Sequence, residues 1–358
     1  MAQSSLLSAL AKLKKTHSDA IKDVDTAGII QRIYLSSPQL NYLFGGGFPL
    51  GRIINLHGPE SGGKSTLATY IAGELQRLRP TKKAVAYLDF ERTFEKTFAE
   101  KLGLNTDTDR FVLIRPENGE EGFTILEELV RTGEIGLVIL DSDATMPSKN
   151  QIVDEYGKAD FGAGAKLMAS ALRKFNPILD KFQASMFVIS QERDNTAAAG
   201  GYGPDFKATG GKAIKFYASN RSRVQRIDYI KDKGIVTGIQ MRVKNEKNKA
   251  GIPFREAMLS LSFETGFNTQ NEYMDFIISL GICEQRGAWF NMPQYGLEKA
   301  NGRDAVQDWL NHHPEEYEKI KLEVNDRLCG KIAIDENNEV VEDSEFDEPP
   351  EIEVPIEA

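Results

Sequence analysis

One stretch limits what this chain can fold into more than any other: Gly58-Pro59-Glu60-Ser61-Gly62-Gly63-Lys64-Ser65-Thr66, which fits G-x-x-x-x-G-K-[ST]. An apolar run from Arg52 to His57 precedes it, and a helical pattern from Thr66 to Ala72 follows. Strand, loop and helix in that order form the setting in which such a loop wraps phosphates. Its glycines let backbone N–H groups turn inward, its lysine reaches the β- and γ-phosphates, and its hydroxyl ligates Mg²⁺. Lys64 and Ser65 fill the last two parts, so ATP and Mg²⁺ are the expected cofactors.

The chain beyond the loop continues in the alternation such a fold needs. Apolar, strand-like runs occur at 84–89, 111–114, 136–142 and 185–191, with helical patterns at 94–103, 119–132 and 163–182 between them. Short apolar runs separated by helices imply a mainly parallel sheet covered on both faces. Alternating segments at 222–229, 238–243 and 257–263 read as an antiparallel extension of it. The fold class is therefore α/β, with appendages. Residues 4–16 carry Leu6, Leu10 and Leu13 at helical spacing. An isolated helix this short is marginal in water, so that face has to dock on its own domain or on a neighbouring subunit. Residues 17–30 read as a linker, Arg32–Leu35 as a short strand and 45–51 as a turn. The expected division is 1–34 (N-terminal helix and linker), 35–267 (core), 268–333 (small C-terminal α+β domain) and 334–358 (acidic tail that cannot bury enough apolar surface to fold).

Acidic and amide side chains at strand ends carry the expected chemistry. Asp141 ends an apolar strand, where a carboxylate holds Mg²⁺ beside the loop hydroxyl. Hydrolysis needs a group that orients or deprotonates water. Glu91 is the best candidate, with Asp89 and Glu95 as alternatives. Gln191 ends another core strand, where a neutral amide can sense the γ-phosphate. Two long loops, 154–162 and about 193–209, mix aromatics, glycines and basic residues, among them Tyr156, Phe161, Arg193 and Tyr202. Stacking plus charge neutralisation is the chemistry of a single-strand nucleic-acid platform. The basic cluster Lys244–Lys249 reads, by pattern alone, as a solvated turn.

The net charge of −9 conceals an asymmetry. Eleven Asp and Glu and no Lys or Arg lie between Asp335 and Ala358, and removing them from −9 leaves +2 on residues 1–334. A polyanion partner is thus compatible with the body of the chain. Cys283 and Cys329 lack metal-ligand spacing, and no secretory or membrane-spanning pattern occurs. A cytoplasmic compartment is expected.

With these residues in view, the chain resembles the RecA recombinase family over roughly residues 35–330. The motifs that carry the resemblance are GPESGGKST, LDFE with Phe98 beyond it, LVILDS, the SQ ending at Gln191, TGGKAIKFYAS (Thr209–Ser219), RVKNEKNK (Arg242–Lys249) with Pro253 and Phe254, and GAWF (Gly287–Phe290). The resemblance implies a helical filament of many copies on single-stranded DNA, with ATP held between adjacent subunits and double-stranded DNA, single-strand-binding proteins and loader proteins as further partners. It gives Glu91 the role of water activator and Gln191 that of γ-phosphate sensor. It sets Phe98 against adenine, where the family usually has Tyr, and Glu95 near the base, where Asp is usual. Pro253 falls within a matched nucleotide-contacting motif. Lys247 and Lys249 correspond to lysines that reach the neighbour's γ-phosphate, which replaces the solvated-turn reading. Phe216 corresponds to a relay of nucleotide state across the interface. Lys166, Arg173, Gly210, Gly211 and Lys212 correspond to DNA-contacting positions. The N-terminal helix would dock on the next subunit.

The implied function is a DNA-dependent ATPase that pairs homologous strands and exchanges them. Two rivals share the core: a hexameric helicase-type motor, which would be expected to offer an arginine where this chain offers lysines, and an ATP-binding mediator without exchange activity. The charge asymmetry makes a prediction of its own. Deleting 335–358 removes an internal polyanion competitor and should tighten duplex DNA binding in a salt titration; weaker binding would reject that role for the tail.

Overall fold

The computed structural model describes residues 2–17, 20–21, 29–79, 81–153, 162–194, 206–208, 211–329, 332–334 and 340–343. The chain opens with helix α1 (Ala2–Thr16), followed after a gap by β1 (Arg32–Ile33), α2 (Pro38–Phe44) and β2 (Phe48–Pro49). The core then runs β3 (Ile53–Gly58), α3 (Lys64–Leu78), β4 (Ala84–Asp89), α4 (Lys96–Lys101), β5 (Phe111–Ile114), α5 (Gly119–Arg131), β6 (Ile135–Asp141), α6 (Lys149–Val153), α7 (Ala163–Phe182) and β7 (Ser185–Asp194). Next come β8 (Phe206–Ala208), α8 (Gly211–Tyr217), β9 (Asn220–Asp232), β10 (Ile235–Asn248), β11 (Glu256–Ser262) and β12 (Gly266–Phe267).

The central sheet has the order β12-β11-β10-β9-β3-β7-β6-β4-β5, with β8 on β7. Strands β5, β4, β6, β7, β3 and β9 are mutually parallel, and β10 to β12 extend the sheet antiparallel. This is the architecture expected from the alternation. Strand residues split by parity between two cores, as a sheet covered on both faces requires. Leu56, Tyr87, Ile139 and Phe187 join the core under Leu67, Ile71 and Leu75 of α3. Ile53, Leu88, Leu140 and Val188 join the opposite core under α5 and α7, which contribute Phe123, Leu126, Val130, Leu172 and Phe175. Helix α5 forms where its caps dictate. Asn118 accepts from the Glu121 N–H, Glu120 and Glu121 occupy the first turn, and Arg131 sits in the last, each favourable to the helix dipole.

The structure departs from the sequence reading at four places. Helix α2, absent from that reading, is built by an N-cap at Ser37, Pro38 in the first turn and a left-handed C-cap at Gly45. The cluster at 244–248 is not a turn: it pairs with β9 as far as Asn220↔Asn248. Part of its polarity faces inward: Asn245 is fully buried, and the half-buried Glu246 meets His57 and Arg221. After α9 (Thr269–Ser279), a small sheet of β13 (Glu284–Arg286), β14 (Trp289–Met292) and β15 (Leu297–Asn301), and α10 (Arg303–His312), a further helix α11 (Pro314–Cys329) closes a separate apolar cluster. Beyond Ala333, where no structure is expected, β16 (Ile332–Ile334) pairs with β17 (Val340–Asp343), the apolar, β-branched part of the segment. The rest of the tail lies outside the described residues, as do most of the 17–30 linker and most of the two long loops. Among the described residues, no helix is long and apolar enough to cross a membrane.

The C-terminal cluster is tied to the core through a carboxyl. Glu272 on α9 is buried, accepts from Ser37 Oγ, and meets the Gln39 N–H at 3.4 Å. Its Oε1 has no hydrogen-bond partner. Burial pushes its pKa up to about 8, so the folded chain keeps a proton that the unfolded chain releases near pH 4 to 5. A raised acid stabilises the fold least at high pH. Between about pH 5 and 8 the stability should fall by up to ~1.4 kcal/mol per unit on this account. Glu272→Gln should flatten that slope in urea titrations across the window; an unchanged slope would refute the buried-proton assignment.

Candidate active site

The phosphate-type loop begins where β3 ends. Gly58 has φ +152°, and a Cβ there would come within 2.0 Å of the Val224 carbonyl oxygen on β9. Gly63 has φ +90°, and its Cβ would strike Met241 Sδ on β10 at 2.1 Å. Strands β9 and β10 are thus packed directly against the loop, and only glycine fits both the conformation and the space. Pro59 is half-buried, Glu60 and Ser61 are exposed, Gly62 is buried, and Ser65 and Thr66 are half-buried in the first turn of α3. Gly63 is the N-cap and supplies no side chain to the free N–H groups of that turn, which suits an anion. Lys64 is 7% exposed, and its Nζ donates to the Gly58 and Pro59 carbonyls at 3.1 and 2.7 Å. Burial lowers its pKa, against the pull of Asp141 and Glu91.

Parallel pairing brings the other strand ends alongside. Gly58 is in register with Gln191, and Asp89 with Asp141. Asp141 is 1% exposed and takes a hydrogen bond from the Tyr87 hydroxyl at 2.6 Å and another from Ser65. Burial raises its pKa, with those two bonds opposing. A buried carboxylate touching a loop hydroxyl is a pair of hard oxygen donors. It fits a divalent cation that keeps most of its shell as water and phosphate. Glu91 lies at the same edge: Ser142 Oγ donates to its Oε1 at 2.5 Å, and Gln191 Nε2 donates to the same oxygen at 2.9 Å.

The alternatives to Glu91 are engaged elsewhere. Asp89 is fully buried, accepts from the Thr93 and Phe94 N–H groups, and is paired with Arg115 at 2.9 Å. Glu95 is exposed and caps α4, accepting from the Phe98 and Thr97 N–H groups at 2.6 and 2.8 Å; these bonds, that from Phe98 first, lower its pKa. Phe98 packs, partly buried, against the core under α3. Tyr87 and Ser142 were missed in the sequence. Tyr87 is read there only as a member of an apolar strand, and its hydroxyl becomes relevant once β4 and β6 are known to be neighbours.

The remaining predicted residues lie on or beside β7, β10, α7 and α8. Lys247 Nζ donates to the carbonyls of Lys215 and Ala218 at 2.7 Å each and of Phe216 at 3.3 Å, capping the C-terminal end of α8. Burial, then Lys249 and Arg221, lowers its pKa. The Lys249 N–H donates to the Ser219 carbonyl, and its side chain is exposed, as is Pro253. Phe216 is 76% exposed. Lys166 and Arg173 stand exposed on α7, and Arg173 Nε donates to Tyr217 Oη of α8 at 3.3 Å. Gly211 and Lys212 begin α8, exposed. The backbone of Arg193 pairs with Lys207. Tyr156, Phe161, Tyr202 and Gly210 lie outside the described residues.

A glycine loop at a helix N-terminus, a hydroxyl–carboxylate pair and a carboxylate bonded to an amide define a P-loop nucleotide site on a mixed sheet. The comparison with known proteins narrows the class. Residues 6–268 match the model of the RecA N-terminal domain. The chain is 35% identical to protein RecA of Solidesulfovibrio magneticus over 332 residues (91% of this chain and 89% of that one). It is 35% identical to protein RecA of Chlorobium chlorochromatii (86% of each) and 36% identical to that of Cytophaga hutchinsonii (83% and 82%). The chain belongs to the RecA family.

Lys64→Ala removes the buried cation of the loop. Binding of a fluorescent ATP analogue should weaken by about 10- to 100-fold, the worth of a charged hydrogen bond; unchanged affinity would remove the loop from the site.

Proposed function

We propose that this chain is a recombinase that polymerises on single-stranded DNA, hydrolyses ATP in a DNA-dependent way, and pairs and exchanges homologous strands. The observation that carries this reading is the bond from Gln191 to Glu91. It joins a γ-phosphate sensor to the group that activates water, and both adjoin the loop and Asp141. Bound Mg²⁺, held by Ser65 Oγ and Asp141, would supply charge neutralisation on the phosphates. Lys64 turns from the Gly58 and Pro59 carbonyls to the β- and γ-phosphates. Glu91 accepts the proton of the attacking water, and Gln191 exchanges its bond to Glu91 for one to the γ-phosphate. Phosphoryl transfer needs little beyond such positioning and charge stabilisation.

The site reads as half of an interface. Leu6 and Leu13 on α1 are 63% and 46% exposed, and Phe216 is more exposed still. A second copy of the chain is the natural cover for all three. In such a filament Lys247 and Lys249 reach the γ-phosphate held by the neighbour, and Lys247 gives up the carbonyls of α8 to do so. Those carbonyls surround Phe216, so the state of the nucleotide and the set of α8 move together. The DNA-facing surface is formed by α7, α8 and the loops about 154–162 and 193–209, with Lys166, Arg173, Gly211 and Lys212 on or beside the described helices. The helicase reading is disfavoured by lysines in place of an arginine finger. The mediator reading is disfavoured by the intact set of Lys64, Glu91 and Asp141.

Electron microscopy with single-stranded DNA and a non-hydrolysable ATP analogue should show helical filaments, whereas closed rings would sink the proposal. Lys247→Ala should leave ATP binding near normal and lower DNA-stimulated hydrolysis by about 10³ or more, as a lost trans cation does. Normal stimulation in that variant would remove Lys247 from the neighbour's site.

A further inference from the structure

His57 is the last residue of β3 before Gly58, and it is 3% exposed. Its Nδ1 lies 3.0 Å from Glu192 Oε1 on β7, and its Nε2 lies 3.0 Å from Glu246 Oε2 on β10. Each carboxylate adjoins a residue of the reaction: Glu192 follows Gln191, and Glu246 precedes Lys247. Two arginines of β9 complete the cluster. Arg223 donates to both oxygens of Glu192, and Arg221 donates to Glu246 Oε2 at 3.3 Å and to Asn55 Oδ1 at 3.2 Å.

Each carboxylate thus has an arginine of its own, and the charges balance without the ring. What the ring adds is a direct bond to both pairs. The pKa of Glu246 is lowered, by His57 first; that of Glu192 is lowered too, where burial would raise it, because Arg223 and His57 outweigh burial. Both carboxylates are therefore held as acceptors, Glu192 in the interior and Glu246 half-buried beside it, and truncating one member of such a bonded set leaves a buried charge unpaired. From Glu91 the bonds run to Gln191, along one peptide to Glu192, through His57 to Glu246, along one peptide to Lys247, and on to the carbonyls around Phe216.

We propose that His57 is a positioning residue for ATP hydrolysis: by bonding Glu192 and Glu246 at once, it sets the strand of the γ-phosphate sensor Gln191 against the strand of Lys247. A movement of Gln191 at one nucleotide is then passed to the lysine that the same subunit offers to the next. The proposal rests on the roles given above to Gln191 and Lys247. Spatial continuity alone does not establish coupling; perturbing the ring while keeping its neighbours does.

The test uses the full-length chain and compares ATP affinity, DNA-free turnover and single-stranded-DNA-stimulated turnover in H57Q and H57Q/E246Q. Both ring nitrogens face carboxylate oxygens, which only accept, so bonding both at once uses an N–H on each; glutamine at 57 donates from one side only, and its carbonyl oxygen then faces a carboxylate. The second change supplies an amide N–H to that acceptor and closes the chain of bonds again. H57Q should keep its ATP KM and DNA-free turnover, while its stimulated kcat falls by about tenfold, within the usual range of coupling between sites. H57Q/E246Q should recover most of the stimulation, which a merely structural loss would not allow. Normal stimulation in H57Q overturns the proposal. So does a folded H57Q/E246Q that is not stimulated, whether or not H57Q itself folds. Gln191→Ala and Lys247→Ala run in parallel. If those two lose stimulation while H57Q keeps it, only the role of His57 fails; if they keep it, the assignment of Gln191 and Lys247 fails and His57 has nothing to position.

Discussion

The register of the parallel ladder is the constraint on which the rest of the structure depends. Strands β4, β6, β7 and β3 run side by side in one direction, so Asp89, Asp141 and Gly58, which end their strands, and Gln191, in register with Gly58, lie at the same edge of the sheet. A slip of one residue in β6 would turn Asp141 from one face to the other and exchange the apolar sets of the two cores. The buried residues on both faces, Ile139 and Phe187 on one and Leu140 and Val188 on the other, make such a slip costly. Hydrophobic packing therefore sets the geometry of the polar edge.

At that edge, polar groups are spent on holding one another. Tyr87 and Ser65 hold Asp141, Ser142 and Gln191 hold Glu91, and Arg115 holds Asp89. Buried charge is tolerated because each group has a partner, and the partners of Glu91 and Asp141 are side chains that a nucleotide can compete for. Lys64 and Lys247 follow the same rule. Each parks its ammonium on main-chain carbonyls, one set belonging to the loop and the other to α8. Both cations therefore sit at defined places on the main chain.

The charged cluster around His57 shows how the antiparallel extension differs from the parallel half. Strands β3, β4 and β6 are buried almost throughout and nearly all apolar, whereas the last third of β10 is polar and still a strand. By pattern Lys244–Lys249 resembles a turn, because strand propensity and alternation are both weak there. Backbone pairing with β9 and partners for Glu246 and Asn245 in the interior override local preference. In the hairpin of β16 and β17 the backbone likewise pairs within an acidic segment, with Ile334 in register with Val340.

By itself the sequence determined the glycine loop, the α/β alternation and Asp141 as the last residue of its strand, because glycine conformation, apolar periodicity and a polar residue closing an apolar run are local properties; Gln191, read as a strand end, is followed by three more residues of β7. Helix α2 is absent from that reading, although its Ser-Pro start and Gly stop are local signals too. The tertiary structure alone decided that Asp89 and Glu95 are engaged in holding a turn and a helix, that Tyr87 reaches Asp141, and that Lys247 rests on α8. It also decided that His57 joins β7 to β10 through two carboxylates that each lie more than a hundred positions from it in the chain. Those outcomes depend on which strands become neighbours, and strand order is set by packing over long sequence separations that no local pattern records.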